Sequence, residues 1–83
     1  MTHVISKNEL NTILSPLMNE DEIDLVYQSI ESKYFWESMA IILRAIRAKD
    51  PRISSFIISR DGVEIDVRDK NLIDRLENIL KGE

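Results

Sequence analysis

Apolar residues recur along this chain with two different periods, and the change from one to the other separates helices from strands. Leu10, Ile13, Leu14 and Leu17 follow helical spacing. Ser6 with Glu9 writes a capping box at the start of that helix, with Ile5 and Leu10 as its hydrophobic staple. Pro16 restricts Ser15, so the helix is predicted to end near Leu14. The same device returns at Asn19 and Glu22, with Met18 and Ile23 as the staple. A second helix then carries Leu25, Val26, Tyr27 and Ile30, and its first turn, Glu20-Asp21-Glu22, suits the positive end of the helix dipole. A break is expected near Ser32, which can cap a new start, the alternative being one long helix from Glu20 to Lys49.

The segment from Tyr34 to Ala48 is predicted to be a central, apolar third helix. At about 100° per residue, Phe35, Met39, Ile42 and Ile46 share one stripe flanked by Trp36 and Leu43. Lys33, Glu37 and Arg44 share the opposite face, with Tyr34 and Ile41 beside it. The apolar arc is wider than one neighbour needs, which implies packing on two sides. Asp50-Pro51 ends the helix.

Beyond Pro51 the period drops to two. Arg52 to Ser59 is rich in β-branched residues, and Val63-Glu64-Ile65-Asp66-Val67-Arg68 alternates. Asp61-Gly62 fits a two-residue type I′ turn, which needs positive φ at both positions. That turn pairs Arg60 with Val63, Ile58 with Ile65 and Phe56 with Val67, and it leaves Ile57 on the polar face. A longer loop with a bulge at Gly62 would pair Ile57 with Ile65 instead. Asp69 then caps a last amphipathic helix with Leu72, Ile73, Leu76, Ile79 and Leu80 as its stripe, and Gly82 stops it. A lone hairpin is marginal in water and must lie on helices. The β-branched run His3-Val4-Ile5 is available as a short N-terminal third strand. The pattern is that of an α+β fold, a single compact domain over residues 1–83.

Composition narrows the chemistry. The chain has 83 residues, no cysteine, two glycines and one histidine, His3, which is expected to be solvated. Disulfides, thiolate metal sites, cysteine nucleophiles, histidine-based triads and glycine-rich phosphate loops therefore lack their residues. No catalytic, cofactor-binding or metal-ligating set can be named, and a non-enzymatic role is expected. Glu64 and Asp66 lie two apart on one strand face, where the ordinary meaning is a solvated surface. A domain this small buries roughly 60–65% of its unfolded surface, so a partner subunit would add needed stability. No apolar run suits a bilayer, and no signal segment opens the chain, so membrane insertion is not expected and a cytoplasmic location is.

Charge is unevenly placed. The net charge is −4, yet residues 39–60 carry +4 while residues 19–38 carry −5 and residues 61–83 carry −3. The leading expectation is a small acidic regulatory protein that binds another protein as an inhibitor or adaptor, a size and composition also found among phage-made inhibitors. Its candidate contact residues are Tyr34, Ile41, Ile53 and Ile57, apolar groups that the helix and strand patterns leave outside the core. The second reading is a winged-helix-like DNA or RNA binder, since three helices followed by a hairpin share that element order. Its cations would be Arg44, Arg47, Lys49, Arg52 and Arg60, although a net negative domain begins badly against phosphate. A third reading is a homodimeric structural subunit.

Overall fold

The computed structural model describes residues 2–28, 31–32 and 34–82. Among these the order is β1 (Thr2–Ile5), α1 (Lys7–Leu14), α2 (Glu20–Gln28), α3 (Phe35–Lys49), β2 (Ser55–Arg60), β3 (Val63–Val67) and α4 (Lys70–Lys81). Four helices and a three-stranded mixed sheet make the fold α+β.

The helix starts follow local chemistry. The Asn19 side chain accepts from the Glu22 N–H at 2.8 Å, and the Glu22 carboxylate accepts from the Asn19 N–H at 3.2 Å, a reciprocal box. At α1 the Ser6 hydroxyl accepts from the Glu9 N–H at 3.2 Å. The Glu9 carboxylate, however, lies against His3 Nε2, with its oxygens at 3.0 and 3.2 Å. His3 is therefore a half-buried strand residue tied to α1, which corrects the expectation of a solvated histidine. Asp69 caps α4 by accepting from the Asn71 N–H at 2.7 Å. Residues 29, 30 and 33 are outside the described set, so Ile30 and Lys33 of the helical patterns are too. Between them Ser32 accepts from the Phe35 N–H with its carbonyl and from the Tyr34 N–H with its hydroxyl, so α2 and α3 are separate helices.

The strand order is β1-β2-β3. β1 runs parallel to β2, with His3 beside Phe56 and Ile5 beside Ile58. A parallel neighbour requires a crossover, and α1, α2 and α3 supply it. β3 runs antiparallel to β2, with Arg60 opposite Val63, Ile58 opposite Ile65 and Phe56 opposite Val67. Asp61 and Gly62 turn the chain at φ of 51° and 80°, the left-handed region that Gly62 occupies without a Cβ penalty.

Register divides the sheet into two faces. Ile5, Phe56, Ile58 and Val67 are buried on one face and join Leu10, Leu14, Ile23, Val26, Met39, Ile42, Leu43, Ile46 and Leu76 in one core. The helices cover that face. Thr2, Val4, Ser55, Ile57, Ser59, Glu64 and Asp66 occupy the other. α3 sits between α4 on one flank and α1 and α2 on another, and it buries Phe35, Ser38, Met39, Ala40, Ile42, Leu43 and Ile46. Leu17 and Leu25, which helical spacing placed with the core stripes, are 61% and 49% exposed. Leu17 falls after the end of α1, and Leu25 falls between the inward positions Ile23 and Val26. Among the described residues no helix is long and apolar enough to cross a membrane.

Candidate functional site

Two depressions flank the hairpin. The first is an apolar pit of about 80 Å³ between α3, β3 and α4. α3 contributes Phe35, Trp36 and Met39, β3 contributes Ile65, Asp66 and Val67, and α4 contributes Leu72 and Leu76. The Phe35 and Trp36 rings meet edge to face, 5.0 Å between centroids at 86°, because successive helical residues diverge by about 100°. Phe35 turns into the core and Trp36 stays at the margin. The Arg75 guanidinium lies 4.0 Å from the centre of the Trp36 ring, a cation–π contact from α4 to α3.

The pit exists because α4 is only partly sunk. Of its apolar stripe Leu76 alone is buried, while Leu72, Ile73, Ile79 and Leu80 remain half-exposed against the core margin. Arg47 holds the two helices together by donating to Glu77 Oε1 at 2.9 Å and to the Ile53 carbonyl at 3.1 Å.

The second depression, about 280 Å³, lies at the turn and is lined by Asp24, Tyr27, Gln28, Arg60, Asp61 and Val63. Its groups satisfy one another. Arg60, with a side chain 13% exposed, pairs through Nη1 with Asp24 and through Nε with Asp61 at 3.8 Å. The Asp24 oxygen facing Arg60 is buried and held by charge rather than by an aligned hydrogen bond. Arg60 also stands over the Tyr27 ring at 5.7 Å. The Tyr27 hydroxyl lies between the carbonyls of Arg60, at 3.1 Å, and Val63. Burial pushes the Tyr27 phenol above its ordinary value, against the opposing pull of its bond and charge partner Arg60.

The predicted contact residues do not form one surface. Tyr34, the cap residue before α3, and Ile41 within it are half-buried, two turns apart and packed on the core margin. Ile53 is 5% exposed and belongs to the core, so it offers no surface. The chain leaving α3 turns at Pro51-Arg52 and sends Ile53 inward, where Arg47 holds its carbonyl. Ile57 lies on the opposite side of the sheet, beside Val4 and Asp66.

Of the five predicted cations, Arg44 and Lys49 are exposed, while Arg47, Arg52 and Arg60 each carry acidic partners. Arg52 donates to both Asp50 oxygens, at 3.0 and 3.1 Å. That bond holds the Asp50 carboxyl below its usual range. β1 and the parallel pairing also depart from the element order that suggested a winged helix.

Sequence reasoning placed Trp36 at the core or its edge and gave no weight to Arg75 or to the Asp24–Arg60–Tyr27 cluster. One signal for the cluster was present. Alternation from Phe56 and Ile58 puts Arg60 on the inward face, where a cation needs a carboxylate. Among the described residues no group of three histidine or carboxylate side chains could hold a metal ion. No protein-family model matches the chain, and no curated protein or solved structure matches it either.

Proposed function

We propose that this chain is a small non-enzymatic regulatory protein that acts by binding another protein, as an inhibitor or adaptor. The observation that carries this reading is the apolar pit. Its lining is almost wholly hydrocarbon, it opens at the surface, and the only tryptophan of the chain stands at its margin. Pockets that accept an apolar anchor from a partner, rimmed by aromatic and arginine side chains, dominate the energetics of protein interfaces. The half-exposed stripe of α4 extends the apolar surface around it. The three tied-up arginines favour this reading over nucleic-acid binding, which depends on cations free to meet phosphate.

The test is affinity capture from the source cell with the tagged full chain, run beside Leu72→Asp. Leu72 is half-exposed at the pit, so the variant is expected to keep its far-UV circular dichroism. One protein should co-purify in stoichiometric amount with the wild type and be lost with Leu72→Asp. Stoichiometric capture of nucleic acid, or of nothing, would overturn the reading.

A further inference from the structure

β3 is an edge strand, and its free side borders the pit. The two-residue turn makes Arg60 and Val63 a hydrogen-bonded pair, so bonded and non-bonded pairs alternate from there. Ile65 and Val67 turn their backbone groups toward β2. Glu64 and Asp66 therefore point their N–H and C=O away from it, along the open edge. An incoming strand would bond to these two residues.

Side-chain chemistry on the two faces of β3 specifies that strand. On the inner face Ile65 and Val67 line the pit, so a strand residue beside them projects toward it. A cavity that holds benzene measures about 150 Å³. A pit of about 80 Å³ suits the end of one aliphatic side chain. On the outer face the strands carry Glu64 and Asp66 and no cation. Arg68, just past β3, reaches back to Asp66 Nε to Oδ1 at 2.8 Å, while among the described residues Glu64 has no ion-pair partner. Glu64 attracts lysine or arginine on an added strand, while Asp66 already holds Arg68. Two β3 edges paired with Glu64 opposite Asp66 would set carboxylate against carboxylate, which disfavours a second copy in that register.

Resting on the protein-binding reading above, we infer that the β3 edge and the pit together receive an extended segment of the partner, in which basic residues alternate with aliphatic ones, added to the sheet as a fourth strand. Backbone bonds to Glu64 and Asp66 supply affinity, and the pit and the Glu64 carboxylate supply register and selectivity.

The probe is a short synthetic peptide alternating lysine with leucine, with a scrambled peptide of the same composition as control. Trp36 emission reports binding, and amide exchange locates it. The alternating peptide should shift the emission and slow exchange at the Glu64 and Asp66 N–H groups. The scrambled peptide should bind at least about tenfold more weakly, as should the alternating peptide to Glu64→Lys/Asp66→Lys. Equal binding of both peptides, protection at another element, or dimerisation through β3 in light scattering would overturn the inference. Exchange on the wild type keeps the test decisive even if the double variant unfolds. A captured partner that still binds Glu64→Lys/Asp66→Lys would sink this inference and leave the protein-binding reading intact. The absence of any captured protein would sink that reading instead.

Discussion

The two depressions beside the hairpin differ in a way that matters more than their size. The turn-side cleft is the larger, about 280 Å³ against about 80 Å³, and it holds the more reactive groups. Yet Arg60 faces Asp24 and Asp61, and the Tyr27 hydroxyl faces two carbonyls. Those groups already serve the fold by fastening the hairpin to α2. The small pit has hydrocarbon walls that open at the surface, with Arg75 over Trp36 at the margin, and a strand edge whose backbone groups point outward. A ligand gains most where interactions are not yet made, which is why we propose the smaller hollow as the docking site.

Breaking the cleft should therefore cost stability. Arg60→Ala leaves Asp24 partly buried without its counter-charge and is expected to lower unfolding free energy by about 2 kcal/mol, a figure reduced from that of a fully buried pair because Asp24 is 35% exposed. Urea denaturation measures it. A loss near zero would mean that the cleft is as idle as the pit.

Tyr27→Phe sharpens the same contrast at about half that size. Removing one hydrogen bond to the turn should cost about 1 kcal/mol near neutral pH. The sign with pH follows from burial, which raises the folded phenol above its unfolded value near 10. The folded state then holds the proton longer than the unfolded state. Its contribution is complete below the unfolded value and is lost as pH rises through the folded one. Wild-type stability should thus fall more steeply in alkali than that of Tyr27→Phe. Parallel curves would show that the hydroxyl is not confined.

The α+β class and the order of elements were legible because they rest on local chemistry. Asn19 with Glu22, Asp69, and the positive φ required of Asp61-Gly62 each act within a few residues. The parallel pairing of β1 was not readable, since it joins residues separated by three helices. Ile53 misled for a related reason. Read within a strand from Arg52, it shares the outward face of Ile57, but the strand begins at Ser55 and the return of the chain beneath Arg47 makes it core. The candidate site was the least visible part. Leu72, Leu76 and Trp36 carry the same apolar signal as any core residue, and how far α4 sinks onto α3 is set by packing across the whole domain.

The smallest effect tests the pit itself. Arg75 is exposed and covers one face of the Trp36 ring at 4.0 Å, so it closes part of the margin without entering the core. At an exposed site such a contact is worth about 0.5 kcal/mol. Arg75→Ala should cost that amount and move Trp36 emission to the red as water reaches the indole, while Arg75→Met, which keeps the stem and removes the cation, should separate covering from charge. Full restoration of both readouts by methionine would make the contact one of packing alone. A large loss of stability in Arg75→Ala would mean that the pit margin is part of the structural frame, as the cleft is, and the distinction between the two hollows would collapse.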